Sequence, residues 1–277
     1  MTGDPFLVAA SLSGAADAEW ARRAADHVDV ALLGGVALDA AGRAAARDLV
    51  ARGRDEFLPA DPLAFVADQL DAVADADAPV RPGINVRSAT LGPVREAAAI
   101  CADRDAVCEV NAHCRQPELR AVGCGESLLR DPDRLARYVA AATDAGATTS
   151  VKVRAGLTGV DLAATAAVAA EAGADWIHVD AMDSEAAVGE VASALGDAPT
   201  DATLVANNGV RGRETVAEYA AYGADAVSVG RPTEEPPVLA RVADAVADWR
   251  TGALREREDV GDAGSEPEQE PEPGARP

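Results

Sequence analysis

AGADWIHVD, residues 172–180, sets a glycine directly before a short apolar run that closes on a histidine and an aspartate. The same beat occurs upstream in AGATTSVKV (145–153) and downstream in YGADAVSVG (222–230). Glycine there suits a helix C-terminus that needs a positive φ, followed by a short loop into a strand. The three stretches are echoes of one helix-to-strand unit, not a solenoid repeat.

Outward from these, eight runs have strand length: FLVAAS (6–11), VDVALLG (28–34), RPGINVR (81–87), AVCEVNA (106–112), TSVKVRA (149–155), WIHVDAM (176–182), TLVANNG (203–209) and AVSVGRP (226–232). Each precedes an alanine-rich amphipathic stretch. In DPDRLARYVAAATDAG (131–146), Asp131 reads as the N-cap and Gly146 as the residue just past the C-terminus. Strands alternating with helices imply a parallel sheet with crossover helices. Eight such units in about 245 residues match a (β/α)8 TIM barrel, with a doubly wound open sheet as the alternative. The reading is one catalytic barrel over residues 1–250. Beyond it, residues 251–277 carry eight acids, three bases and few large apolar side chains, the composition of a disordered acidic tail.

The 277-residue chain has a formal net charge of −22, and −17 of it lies outside that tail. Lysine is nearly absent: Lys152 is the only one among 25 cationic residues. Such a surface repels itself in dilute buffer and is screened in concentrated salt, so the composition points to a halophilic cytoplasm. It offers no basic stripe for DNA or other nucleic acid, and an RNA substrate would be held by local arginines. No stretch approaches the roughly 18 apolar residues of a membrane span, and the N-terminus lacks the basic start of a signal peptide. The protein is expected to be cytoplasmic. Its cysteines, Cys101, Cys108, Cys114 and Cys124, form no CxxC pair and read as reduced thiols.

In a barrel of this kind chemistry sits at the C-terminal strand ends. Those ends hold Ser11 and Ser13, Asn85 and Arg87, Asn111, His113 and Cys114, Lys152 and Arg154, His178 and Asp180, Asn207 and Asn208, then Gly230 and Arg231. The last two loops suit the phosphate site that barrels often build after strands seven and eight. Gly209 and Gly230 would let backbone N–H groups approach an anion, and Arg231 would clamp it. Cys114 lies in a polar setting where a thiol can act as nucleophile or general acid, whereas Cys101 and Cys108 read as small buried hydrophobes. His113 and His178 can equally be capping or packing residues. A zinc site from His113, Cys114 and Cys124 lacks any standard ligand spacing, so no metal is expected. Hydrolase, NTPase and zincin motifs are absent.

VNAHCRQPE, VGCGESLLRDPDRL and VKVRAGL follow one another in residues 110–157. Together they resemble the tRNA-dihydrouridine synthase family, FMN barrels whose members carry N-x-G-C-P, then a glycine-rich run, then V-K-x-R-x-G. AASLSGAAD near the start is similar to that family's A-P-M-A-G-V-T-D, and NNG and GADAVSVGRP resemble its phosphate loops, so the likeness spans roughly residues 5–235. It implies an FMN oxidoreductase acting on a pyrimidine C5–C6 bond, with tRNA as partner, or alternatively a free pyrimidine or dihydroorotate-like molecule. NAD(P)H is a candidate electron donor. By matched position, Cys114 would protonate C5. Asn111 would touch flavin and substrate, and Lys152 would face the polar edge of the isoalloxazine. Asn207, Gly209, Gly230 and Arg231 would hold the phosphate, with Ser11 and Asn85 also against the cofactor. Departures are His113 for the glycine before the cysteine, no proline after Cys114, and a strand-six histidine at His178, two residues before the family position, which Asp180 occupies. The family's usual C-terminal helical domain, which grips tRNA, is replaced in this reading by the acidic tail. A flavin-free barrel that binds a phosphorylated metabolite is the reading from a different class.

Overall fold

The structure, a computed structural model, describes residues 4–75 and 79–256. Eight parallel strands close into a barrel in simple chain order: β1 (Phe6–Ala9), β2 (Val30–Ala37), β3 (Arg81–Arg87), β4 (Val107–Asn111), β5 (Thr148–Arg154), β6 (Trp176–Asp180), β7 (Thr203–Asn207) and β8 (Ala226–Val229). The β8-to-β1 pairing, Phe6 with Ala226 through Ala9 with Val229, closes the ring. Every expected strand is present, and the open-sheet alternative is excluded.

Among the described residues, eleven α-helices connect and cover the strands: α1 (Ala18–Ala24), α2 (Ala40–Ala51), α3 (Pro62–Ala74), α4 (Leu91–Ala102), α5 (Pro117–Ala121), α6 (Pro132–Thr143), α7 (Leu162–Glu171), α8 (Ala186–Asp197), α9 (Arg213–Ala221), α10 (Pro236–Arg250) and α11 (Ala253–Glu256). Part of the acid surplus starts these helices. Asp17, Asp39, Asp61, Asp131 and Asp161 each accept a first-turn backbone N–H through the side chain, which satisfies donors that a helix start leaves orphaned.

The Gly-Ala-Asp echoes do more than end helices. Gly146, Gly173 and Gly223 all have positive φ, as expected. The aspartates that follow two of them clamp the neighbouring strand: Asp175 accepts the N–H of Thr149 at 2.7 Å, and Asp225 that of Leu204 at 2.8 Å. Asp29, ahead of β2, holds Leu7 in the same way at 2.8 Å. Three strands thus have an N-terminal donor satisfied by an acid that the adjacent strand brings.

Inside the barrel, alternation sorts side chains by height. Phe6, Val8, Val30, Leu32, Val107, Trp176, Val205 and Ala226 form an apolar plug in the lower half, where the Phe6 and Trp176 rings meet at 5.1 Å. The opposite strand faces pack Leu33, Ile84, Val110, Val151, Ile177 and Val227 against the helices. The described residues continue to Glu256, six past the expected barrel boundary. Arg213 donates to the carbonyls of Ala253 and Leu254, and Leu254 is buried. The rest of the expected tail, residues 257–277, lies outside the described residues.

Candidate active site

Above the apolar plug, the inner face turns polar. Glu109, in the middle of β4, is fully buried and accepts three hydrogen bonds. Asn85 Nδ2 donates to its Oε1 at 2.7 Å, and Ser150 Oγ to its Oε2 at 3.0 Å. His178 Nδ1 lies 2.6 Å from that same Oε2. The other imidazole nitrogen, Nε2, is 2.7 Å from Ser228 Oγ, which in turn accepts from Asn207 Nδ2 at 2.7 Å. On the other side, Asn85 Oδ1 accepts from Asn111 Nδ2 at 2.8 Å, and Asn111 Oδ1 accepts the backbone N–H groups of His113 and Cys114 at 3.3 and 3.1 Å.

Charge settles the proton positions. Burial alone would raise the Glu109 carboxyl, but His178, Lys152 and the Asn85 hydrogen bond outweigh it and bring it down to about 2. Glu109 is therefore an acceptor-only carboxylate. Burial, reinforced by the Lys152 ammonium, lowers the His178 imidazole below its ordinary 6.5 despite Glu109. At neutral pH the ring is uncharged, with Nδ1–H donated to Glu109 and Nε2 accepting from Ser228. Glu109 is thus held ionised by its contacts with His178 first, with the Lys152 charge and the Asn85 hydrogen bond adding to them.

A cavity of about 380 Å³ opens over this floor at the C-terminal ends of β5 to β8 and β1. Ser11, Lys152, Asn207, Gly209, Gly230 and Arg231 line it, together with His113, Arg115, Asp180 and Arg211. Lys152 is 3% exposed, and its ammonium has no hydrogen-bond partner among the described residues. Asn207 spends both amide hydrogens on Ser228, which leaves its carbonyl oxygen for the cavity. Arg231 and Arg115 stand exposed at the rim with no carboxylate in salt-bridge range among the described residues. The Gly209 N–H bonds the Asn208 side chain at 2.9 Å. Another cavity, of about 310 Å³, opens at the opposite end of the barrel around Phe6 and Asp225, away from the strand-end donors.

Four expected site residues, Asn85, Asn111, His178 and Cys114, stand apart from this lining. Asn85 and His178 lie in the floor, and both His178 nitrogens are occupied there, so the ring reaches the cavity only through its neighbours. Cys114 is half-buried on the loop after β4, packed beside the cluster of Ala45, Leu49, Leu119 and Cys124. That loop is tightly held. The Cys114 carbonyl accepts the Glu126 N–H at 2.9 Å, and a Cβ on Gly125, whose φ is +64°, would sit 2.2 Å from that oxygen. Glu126 is anchored in turn by Arg154 at 2.5 Å and Arg120 at 3.0 Å.

Two features escape the sequence reading. Glu109 had a legible signal, a lone acid inside an apolar strand two residues before Asn111 and so on the same face. The buried pair of Arg87 and Glu56, at 2.6 Å, had none, because Glu56 comes from the connection between α2 and α3. Arg87 also donates to Ser13 at 2.8 Å, tying the end of β3 to the loop after β1 and to the α2–α3 connection.

The chain matches the family described as dihydrouridine synthase over residues 86–254. It is 28% identical over 138 residues to an uncharacterized protein of Methanocaldococcus jannaschii, a match that spans 49% of this chain and 53% of that protein. The chain thus spans about half the length of this curated relative. Among solved structures, 3-hexulose-6-phosphate synthase from Salmonella typhimurium aligns with a TM-score of 0.52 at 16% identity, covering 89% of this chain and 98% of that one. A Burkholderia cenocepacia protein with a provisional lyase/mutase assignment aligns at 0.56 and 17% identity, covering 95% and 86%. At these identities the two structures speak for the barrel alone. The family match takes in the Cys114 loop, the lysine strand and the loops after β7 and β8, more than half of the sequence, and the chain belongs to the dihydrouridine synthase family.

Proposed function

We propose that this chain is an FMN-dependent oxidoreductase that reduces the C5–C6 bond of uridine in tRNA. The observation that carries the reading is the partnerless Lys152 ammonium, buried at the floor of a cavity whose far wall is made by the loops after β7 and β8. A cation there suits the electron-rich N1/O2 edge of an isoalloxazine, and a slim ammonium fits where a guanidinium fork would crowd the ring. Arg231, exposed and without a carboxylate partner among the described residues, suits the phosphate, and the Asn207 carbonyl oxygen offers an acceptor between the two ends. The donor set therefore fits FMN.

Bound there, the flavin would supply the hydride for C6. The protein's part is to bind, orient and deliver a proton. Cys114 Sγ–H gives its proton to C5 as general acid, on a loop that Asn111 and Glu126 hold in place. Lys152 holds the cavity floor positive. The reductant is a nicotinamide dinucleotide, and the setting is a salt-rich, reducing cytoplasm.

Visible absorbance is the first test: protein purified at high salt should be yellow or should bind added FMN. A colourless preparation that takes up no FMN ends the flavin reading. Cys114→Ala should keep the flavin and lose turnover by about a hundredfold or more; full activity removes Cys114 from the proton step. Mass spectrometry of tRNA nucleosides with and without the protein decides the substrate. Reduction of free uracil, or oxidation of dihydroorotate, at useful rates, with dihydrouridine unchanged in a deletion strain, replaces tRNA by a small pyrimidine.

A further inference from the structure

We infer that Glu109 is the positioning residue of this site: one buried carboxylate fixes the hydrogen-bond polarity of the floor in two directions. In the first, Glu109 takes the Asn85 amide N–H, which turns the Asn85 oxygen toward Asn111. That in turn points the Asn111 oxygen at the N–H groups of His113 and Cys114. In the second, Glu109 takes the Nδ1–H of His178, which turns Nε2 into an acceptor for Ser228. Ser228 then accepts from Asn207, whose oxygen is left for the cavity.

Each amide and the imidazole could stand either way round by shape alone. Only an acceptor-only group at the junction makes every step run outward. A carboxamide of the same size at position 109 carries both a donor and an acceptor, so it fills the space and loses the command. The groups packed around Glu109 are Asn85, Ser150 and His178 by contact, with Lys152 one inward step further up β5. No second carboxylate makes a hydrogen bond to this network among the described residues. The consequence for turnover rests on the proposed function, because Cys114 and Asn207 sit at the two ends of the relay. The geometry does not.

The test uses the full chain, without flavin, in high salt. One readout is the tautomer of His178 by 15N–1H correlation, tractable because the chain has three histidines. The other is the alkylation rate of Cys114 by iodoacetamide, the other three thiols being buried. Glu109→Gln should move both: His178 loses its single Nδ1–H form, and Cys114 reacts about tenfold faster as its loop is released. Asn111→Ala should speed alkylation alone, and Ser228→Ala should alter the imidazole alone. If Glu109→Gln folds and leaves both readouts as in the wild type, the carboxylate merely fills space and the inference is overturned. If that variant does not fold, the single-arm variants decide: an alkylation rate within twofold of wild type in Asn111→Ala breaks the relay. A protein that passes these tests yet binds no FMN would keep the relay and lose the proposed function.

Discussion

Lys152 is where composition and chemistry meet. A chain that uses arginine at every other cationic position places its one lysine on the inner face of β5, buried and aimed into a cavity. Lys152→Arg keeps the charge and changes the shape, so FMN affinity should fall about tenfold or more in a fluorescence titration while the melting temperature stays close to wild type. The histidines set the acid limit of the fold. His113, pushed well below 6.5 by burial and by Lys152, and His178, lowered by the same causes, stay neutral in the folded chain and take up protons in the unfolded one. Stability should therefore decline as pH drops below about 6.5, by about 1.4 kcal/mol per pH unit for each fully lagging site. Glu109 adds a second decline. It is protonated near 4.5 when unfolded and only at about 2 when folded, so its contribution is complete above 4.5 and lost between 4.5 and about 2. Denaturation at constant salt across pH 3 to 8 checks both, and His113→Gln should flatten the upper slope.

At the scale of elements, the clamp between an aspartate and the neighbouring strand is the recurring device. Asp175→Ala and Asp225→Ala each strand one backbone N–H at the base of the barrel, with an expected cost of about 1–3 kcal/mol in urea denaturation. These aspartates also show how far the sequence could be read. Their place after Gly-Ala was visible, because a glycine with positive φ is a local requirement. Their partners Thr149 and Leu204 were not, because a clamp between strands is a property of the closed ring. The same division runs through the site. Lys152, Asn207 and Arg231 were legible as strand-end polar residues, since the C-terminal rim of a barrel follows from strand order. The occupation of both His178 nitrogens was hidden, because it depends on Glu109 from β4 and Ser228 from β8, far apart in the chain. Leu254, four residues beyond the expected boundary at 250, is buried, and one leucine is too weak a pattern to read from the sequence.

For the whole molecule the governing quantity is a net charge of −22 on 277 residues. Part of the aspartate is committed to helix starts and strand clamps, where it does local structural work at any ionic strength. Most of the rest repels itself over a screening length of about 10 Å at 0.1 M salt and about 3 Å at 1 M. The melting temperature should accordingly climb between 0.1 and 2 M KCl, and a calorimetric series that stays flat would mean that the acids are neutralised pairwise instead. The same measurement in sodium sulfate would separate screening from the general strengthening of apolar burial.

Phe6 and Trp176, packed at a tilt in the lower barrel with the valines around them, close one end of the interior with hydrocarbon. The interior is thus a cup and not a pipe. Anything that reaches the Lys152 end must leave by the way it came. If an electron donor and an electron acceptor both need the same few ångströms of floor, they cannot queue from opposite sides; each has to vacate before the other arrives. The architecture imposes turn-taking, and steady-state kinetics with two varied substrates should show it as parallel double-reciprocal lines.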